Sequence, residues 1–309
     1  MPRSPKRTPL PRADPVAGRL DATAVIVIHD DGERLVPLLD VLQREVAGTV
    51  VVDNASTDGS IEPLHGRPEV TVLRNPENRG FAAAVNQGAR AASTGWLVLV
   101  NPDVHLLAGQ VTALLEDLPP DVAAVAPLQV DGHDRPRVET GGYEPTLGRY
   151  LVWALVPAAY HGRRGPWLSR PFPHGDLELD WLSGALLGIR RPVLESLGFL
   201  DERFFMYHED VDFGRRARSA GYRLLCRPSV RLHHEVAHGD PERRVRSGRR
   251  SIESLALDFP GWRRRALGVI LGIGYGLRAV LGSGTQKALA RGVLAHCVTL
   301  IRGRLPVRD

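Results

Sequence analysis

Short apolar runs and amphipathic stretches alternate through the first hundred residues. Residues 24–28 form a β-branched apolar run that predicts a buried parallel strand. The same kind of pattern predicts further strands at 48–53, 70–73 and 96–100, and helices at 33–46 and 82–92. Strands that alternate with helices in this way predict an α/β fold with a largely parallel sheet.

Polar side chains gather where these predicted strands end. They are Asp30, the 53–58 stretch with Asp53, Asn54 and Asp58, the 78–80 stretch with Asn78, Arg79 and Gly80, and the 101–103 stretch with Asn101 and Asp103. In open α/β sheets, ligands bind beyond the carboxyl ends of the strands. One polar turn after a strand is usually only a turn, but four on one sheet edge predict a binding site.

The middle of the chain gives a weaker pattern. A strand is predicted at 122–128, and 135–175 is rich in loops, as either an excursion over the site or a plain surface insertion. Residues 179–190 predict a strand and turn, and Arg191-Pro192 starts a helix. A final strand is predicted at 222–226, with His233 and His234 following it.

Ionisable side chains are most closely spaced at 204–213, where His208, Glu209, Asp210 and Asp212 follow an aromatic run. Helix-forming residues continue to Gly221, which predicts a helix with Glu209 and Asp210 in its first turn. There the helix dipole favours an ionised carboxylate, which is what a general base requires. An acidic cap on an ordinary surface helix is the alternative interpretation.

The length and composition of the chain limit the number of domains and the class of protein. The chain of 309 residues is long enough for one large domain plus an appendage, or for two domains, and 43% hydrophobic and 24% charged residues are typical of globular proteins. The net charge of +5 rests almost wholly on Arg, which by itself is a weak indication of a nucleic-acid or membrane partner. Cys226 and Cys297 have no metal-type spacing and are predicted to be buried thiols.

The two ends differ from the middle. Residues 1–20 are rich in Pro and cations without periodicity and predict a disordered leader. After 241 come two Arg-rich clusters, at 243–250 and 263–265, and the apolar segment 266–282. That segment is too short and too basic for a spanning helix and favours an interfacial helix on anionic lipid. Packing on the catalytic domain or in a homodimer is the alternative. A nucleic-acid partner is disfavoured, because aromatics are not interleaved with the Arg residues.

The polar motifs, in their order along the chain, resemble those of inverting family 2 glycosyltransferases with the GT-A fold. The matching stretches are 53–60, 78–81, 101–103 and 209–210. More narrowly, the chain resembles bacterial rhamnosyltransferases that act on N-acetylglucosaminyl-diphospho-polyprenol in cell-wall linker assembly. The resemblance covers about 22–240. It implies a leader at 1–20, a GT-A catalytic domain at 21–240, and a basic, helical, membrane-associating region at 241–309.

The resemblance also implies roles. Asp210 would be the general base and Glu209 its neighbour at the acceptor, while Asp103 and His234 (or His233) would hold Mg²⁺ or Mn²⁺. The family's metal motif is commonly Asp-x-Asp, so Asn101 is a departure. The nucleotide sugar would be bound by Asp30, Asp53, Asn54, Asp58, Asn78, Arg79, Gly80, Asn101, Trp181, Ser183 and Gly184.

The implied reaction moves L-rhamnose from dTDP-β-L-rhamnose to the lipid-linked acceptor at the cytoplasmic face of the cell membrane. Transfer of galactofuranose or another hexose from a UDP-sugar is the alternative within the family. A catalytically silent membrane scaffold is the alternative from another class.

Overall fold

The computed structural model describes residues 18–30, 32, 35–156, 164–168, 175–234, 241–282 and 284–305. Most of the predicted leader lies outside these residues, as do 235–240 at the predicted end of the catalytic domain. Leu20, which was assigned to the leader, is instead the first residue of β1.

A nine-stranded mixed sheet forms the centre of the fold, with the main strand order β3-β2-β1-β4-β10-β6-β11-β5, and β8 paired to β11. A separate two-stranded sheet joins β7 to β9. The strands are β1 Leu20–Ile28, β2 Val46–Asp53, β3 Val70–Arg74, β4 Trp96–Val100, β5 Val104–His105, β6 Val122–Val130, β7 Gly141–Gly142, β8 Leu177–Glu178, β9 Trp181–Leu182, β10 Leu186–Arg190 and β11 Arg223–His234.

The helices cover both faces of the sheet and continue into the C-terminal region. They are α1 Leu35–Glu45, α2 Phe81–Ala91, α3 Gln110–Leu115, α4 Leu147–Leu155, α5 Arg191–Ser196, α6 Glu209–Ser219, α7 Pro241–Leu257, α8 Trp262–Leu281 and α9 Gly284–Ile301.

The strands β1 to β4 pair in parallel, as the apolar runs predict. Residues 24–26 and 98–100 are almost fully buried, because helices pack on both faces of these strands. The carboxyl ends of β1, β2 and β4 therefore lie on one edge, where the polar motifs follow.

The second half of the sheet differs from a purely parallel arrangement. The strand β10 runs antiparallel between β4 and β6, and β11 runs parallel to β6 as far as His233. The expectation that His233 and His234 follow a strand ending at Cys226 was wrong, since both lie within β11. Pairing of His234 with Val104 carries this histidine to the loop after β4.

The 135–175 stretch contains a helix that its loop-rich composition did not predict. Tyr150 of α4 packs with Ile252, Phe259, Leu267 and Val293 in an apolar cluster separate from the two that cover the sheet. Its neighbours Trp153 and Trp167 lie in edge-to-face contact with it. This cluster fastens the C-terminal helices to the catalytic part of the chain. Of the helices described, none combines the length and apolar character needed to cross a bilayer.

Candidate active site

The buried pair Asp53 and Asn54 ends β2 at the polar edge of the sheet. The Asn54 side chain accepts from the N–H of Arg79 at 3.1 Å and donates to the Asn78 side chain at 2.8 Å and to the Gly80 carbonyl at 3.2 Å. These bonds fix the 78–80 turn against the end of β2. Asn54 is 3% exposed. Its side chain therefore holds the 78–80 turn in place and is not available to bind a ligand.

Asp53 has one oxygen available for another partner. Its Oδ1 accepts from the Ser56 N–H at 2.8 Å, whereas its buried Oδ2 has no hydrogen-bond partner and lies 3.4 Å from Nε of Arg74. A buried carboxylate oxygen without a hydrogen bond is costly, which favours an N–H donor from a ligand at this position.

Asp30 and Asp58 hold the loop that follows Asp53. The Oδ1 atom of Asp30 accepts from the Thr57 N–H at 2.7 Å. Asp58 accepts from the backbone and hydroxyl of Ser60, and these bonds lower its pKa. Both carboxylates thus order the loop walls, as an ordinary Asx turn does.

The first backbone N–H of α2 forms a hydrogen bond within the protein. The N–H of Phe81 donates to the Phe205 carbonyl at 2.6 Å. Gly80 has φ +85°, and a Cβ there would lie 2.5 Å from the same oxygen. Arg79 is exposed, and its guanidinium forms no hydrogen bond or ion pair with the described residues.

Asp103 and His234 meet across the sheet edge. His234 Nε2 lies 3.1 Å from Oδ1 of Asp103, and its Nδ1 lies 3.1 Å from Oε1 of Gln129. An amide oxygen only accepts, so it places a proton on Nδ1. Either a proton or a metal cation can then lie between Nε2 of His234 and the carboxylate of Asp103. Among the residues described, no group of three or more His, Cys, Asp or Glu side chains is arranged as a metal site.

The turn between β9 and β10 forms another wall. Ser183 Oγ accepts from the Ala185 N–H at 3.3 Å, and the backbone N–H of Asn101 donates to the Ala185 carbonyl at 2.9 Å. Trp181 is 9% exposed, and its indole N–H lies 3.3 Å from the carbonyls of Tyr143 and Pro166. Its polar atom is therefore used within the protein and is not presented to a sugar.

Asp210 lies at the first turn of α6, as predicted, next to Gly184. Its carboxylate accepts from the Val211 N–H at 2.8 Å and from the backbone of Gly184. Tyr207 and His208, which precede the helix, both have left-handed backbone conformations, with φ +69° and +68°. Two consecutive non-glycine residues in this region store backbone strain, a feature that clusters at functional sites.

Burial reverses the expected electrostatic balance of the acidic pair. It raises the pKa of Asp210 to about 6, although the cationic form of His208 and the backbone N–H groups oppose it. Burial and the charge of Asp210 raise the pKa of Glu209 well above its ordinary value. Glu209 is 6% exposed, and its Oε2 has no hydrogen-bond partner. Burial thus outweighs the groups that favour ionisation at the start of the helix, and a pKa near neutrality suits a general base.

Three further residues reach the site without a sequence signal that assigned them. Gln129 orients His234 from β6, His208 lies directly before the acidic pair, and Asp258 approaches His208 from the C-terminal region. The side chain of His208 was visible in the sequence beside Asp210, but nothing in the sequence connected it to a residue 50 positions away.

Comparisons with known proteins agree with this architecture. Residues 23–179 match glycosyl transferase family 2. The chain is 31% identical over 263 residues to N-acetylglucosaminyl-diphospho-decaprenol L-rhamnosyltransferase of Mycobacterium tuberculosis, with 76% of this chain and 83% of that protein covered.

Solved structures share the fold at low sequence identity. GalNAc-T7, solved with UDP, GalNAc and Mn²⁺, superposes with a TM-score of 0.59 at 16% identity over 95% of this chain, which spans 60% of that longer chain. The mannosyltransferase PcManGT of Pyrobaculum calidifontis, solved with GDP-Man and Mn²⁺, gives a TM-score of 0.54 at 18% identity over 93% of this chain and 86% of its own. The sheet edge, the acidic helix and these similarities together establish that the chain belongs to glycosyl transferase family 2 and is a glycosyltransferase.

Proposed function

We propose that the protein transfers L-rhamnose from dTDP-β-L-rhamnose to N-acetylglucosaminyl-diphospho-polyprenol, with inversion at the anomeric carbon. The observation that carries the reaction type is Asp210, a carboxylate with a pKa raised to about 6 at the polar edge of the sheet. The choice of sugar and acceptor is supported by the 31% identical mycobacterial rhamnosyltransferase.

The chemistry needs one base. Asp210 accepts the proton of the acceptor hydroxyl, whose oxygen forms a bond to the anomeric carbon as the bond to the nucleotide diphosphate breaks. Attack from the face opposite the nucleotide converts the β-linked donor into an α-L-rhamnoside. Glu209 borders the acceptor side, and burial together with the charge of Asp210 raises its pKa well above the ordinary value.

The nucleotide has a matching pocket. We assign the donor base to Oδ2 of Asp53, which has no hydrogen bond beside its ion pair with Arg74 and can accept the imide N–H of the base. We assign the diphosphate to Arg79, whose guanidinium forms no bonds with the described residues. Asp30, Asn54, Asp58, Asn78 and Gly80 keep this pocket in shape. Asn101, Ser183 and Gly184 lie between the donor sugar and Asp210.

Asp103 and His234 fit a divalent cation. Their facing atoms are 3.1 Å apart, and Gln129 fixes the imidazole orientation, as outer partners of ligating histidines usually do. Two protein ligands suffice for Mg²⁺ or Mn²⁺ when substrate phosphates and water complete the shell. When bound, the metal would supply charge neutralisation to the departing diphosphate.

Thermal stabilisation by nucleotide sugars tests the donor, since a ligand specific for the folded state raises its apparent stability with occupancy. We expect dTDP-rhamnose to raise the melting temperature more than dTDP does, and only with Mg²⁺ or Mn²⁺ present. Asp103→Asn should remove the metal dependence, whereas Asp121→Asn, at an exposed ion pair with Arg223, should retain it. Stabilisation by UDP-sugars instead would favour galactofuranosyl or hexosyl transfer. No response to any nucleotide would contradict donor binding.

We also propose that the protein binds its lipid-linked acceptor at the cytoplasmic face of the cell membrane. The apolar residues Val269, Ile273, Leu277 and Val280 are exposed along one side of α8 and recur every three or four positions. Arg263 and Arg265 are exposed at its beginning. An apolar stripe with cations at one end suits the interface of an anionic bilayer. Arg249 of the first predicted cluster instead forms a contact within the protein, since it donates to the Gly292 carbonyl at 3.1 Å.

Vesicle sedimentation tests this surface. The full chain should bind vesicles that contain phosphatidylglycerol more strongly than pure phosphatidylcholine, and Ile273→Ser with Leu277→Ser should weaken that binding by tenfold or more. Leu107→Ser is the matched control, because Leu107 is equally apolar and 63% exposed but lies in the catalytic part of the chain. Unchanged sedimentation of the double variant would contradict the assignment. A loss of dimer mass instead would show that α8 contacts a second copy.

A further inference from the structure

The helix α7 reaches the segment that carries the acidic pair. The hydroxyl of Ser254 donates to the Met206 carbonyl at 2.7 Å, and the Arg250 guanidinium lies 5.7 Å from the ring centre of Phe205. The same segment also contacts α2, because the Phe205 carbonyl accepts a hydrogen bond from the Phe81 N–H at 2.6 Å. The backbone that leads into α6 is therefore held between α7 and the start of α2, where the proposed donor pocket lies.

Asp258, directly after α7, faces the two cationic groups that flank the acidic pair. Its Oδ1 lies 3.1 Å from Nη1 of Arg215, and its Oδ2 lies 3.7 Å from Nδ1 of His208. The side chains of Asp258 and His208 are 7% and 10% exposed. His208 comes two residues before Asp210, and Arg215 lies further along the same helix. One carboxylate from the C-terminal region thus forms an ion pair with Arg215 of α6 and lies close to His208, the residue directly before this helix.

The charges around Asp258 support a functional link between this residue and Asp210. Burial by itself would raise the pKa of Asp258, but His208 and Arg215 together hold it below its ordinary value, so the carboxylate stays ionised. Burial raises the pKa of Asp210, and the cationic form of His208 opposes that rise. The charge of Asp210 in turn raises the pKa of Glu209. Arg215 also contacts Glu144, with Nε 2.8 Å from Oε1, so it is anchored from two sides.

We propose that Asp258 is a positioning residue for sugar transfer, which acts by holding His208 in its left-handed conformation against the first turn of α6 and so orients Asp210. The C-terminal helical region then completes the active site, in addition to any contact it makes with lipid. This inference rests on the proposed role of Asp210 as the base.

The test compares Asp258→Asn with the wild-type full chain. Loss of the Asp258 charge should lower kcat by at least about tenfold, since small misplacements of a catalytic group are costly, with KM for the donor within twofold. It should also move the acidic limb of kcat/KM, because His208, whose cationic form acts on the pKa of Asp210, is no longer held in place by a carboxylate. Once His208 is replaced in His208→Gln, adding Asp258→Asn should change neither quantity much further.

Glu253→Gln is the matched control, because Glu253 lies on α7, just before Asp258 in the chain, and its Oε1 is likewise paired with a histidine, 3.3 Å from Nε2 of His296 on α9. If both variants lower turnover only in proportion to lost thermal stability, with the acidic limb unmoved, Asp258 has a purely structural role and the inference fails. Additive effects of Asp258→Asn and His208→Gln would also overturn it. The assay follows release of nucleoside diphosphate from whichever donor the wild type uses, so a wrong donor assignment is seen in the wild type alone.

Discussion

At the scale of single residues, burial decides the chemistry of the acidic pair. Asp210 and Glu209 occupy the first turn of a helix, where the dipole and free N–H groups stabilise an ionised carboxylate. Loss of solvent outweighs that effect and raises the pKa of both groups. The protein therefore keeps two poorly solvated carboxylates at its proposed reaction centre, and this arrangement has a cost in stability.

Asp210→Asn tests that cost together with the role of the base. The folded state binds more protons than the unfolded state between the ordinary pKa of 3.8 and about 6, so stability falls as pH rises through this interval. The neutral amide avoids the penalty, and we expect it to stabilise the fold above pH 6 by at most about 3 kcal/mol. Turnover should fall about 10²–10⁴-fold, the usual contribution of a general base.

Calorimetry at several pH values and initial rates measure both effects. The stability gain should vanish near pH 4, where the wild-type carboxyl is protonated as well. Asp121→Asn, at a surface ion pair, should change neither quantity appreciably. Full turnover by Asp210→Asn would remove Asp210 from the role of base.

At the scale of elements, the junction between α2 and the segment before α6 depends on Gly80. Any other residue at this position would have to adopt φ +85°, and its Cβ would lie 2.5 Å from the Phe205 carbonyl oxygen. The close approach lets the Phe205 carbonyl accept from the first N–H of α2. Gly80 thus connects the donor side of the site to the acidic segment.

Gly80→Ala should destabilise the fold by more than the ~1 kcal/mol of left-handed backbone strain and should lower turnover as the 204–208 segment shifts. Gly109→Ala is the control for a positive φ alone, because Gly109 has φ +83° and ψ −7° with nothing within 4 Å of its Cβ position, whereas Gly80 has ψ 168°. Chemical denaturation of both variants separates the strain from the clash. Equal destabilisation of the two would show that the contact with Phe205 is not needed.

At the scale of the whole molecule, the C-terminal helices are built into the catalytic part of the chain. Tyr150 of α4 is buried among residues of α7, α8 and α9, and Arg278 of α8 donates to the Trp153 carbonyl at 2.8 Å. The cysteines expected to be buried are indeed buried and free, Cys226 within strand β11 and Cys297 in this cluster. The proposed boundary at 240 would cut through a shared apolar core.

We therefore expect a chain ending at residue 240 to be poorly folded, because it exposes Tyr150 and Trp153. The full chain should unfold in a single transition, whereas the truncated chain should bind a dye specific for exposed apolar surface. Far-ultraviolet circular dichroism and dye fluorescence measure this. A truncated chain with native-like melting would show that 21–240 folds as an independent domain.

The sequence by itself determined the elements whose signals are local. Strands of β-branched residues, the turns that follow them and the helix with Glu209 and Asp210 in its first turn were all predicted, because periodicity and turn chemistry depend on neighbouring residues. The helix α4 was missed, since its apolar side faces a cluster supplied by α7 to α9, more than a hundred positions later.

The tertiary structure alone decided which groups meet and how they ionise. Sequence order does not reveal that Gln129 orients His234, that the Phe205 carbonyl covers the start of α2, or that Asp258 faces His208. Desolvation also depends on what surrounds a side chain in space, so the raised pKa of Asp210 could not be obtained from the helix it begins. The residue types specify the available chemistry, and packing selects which of it the site can use.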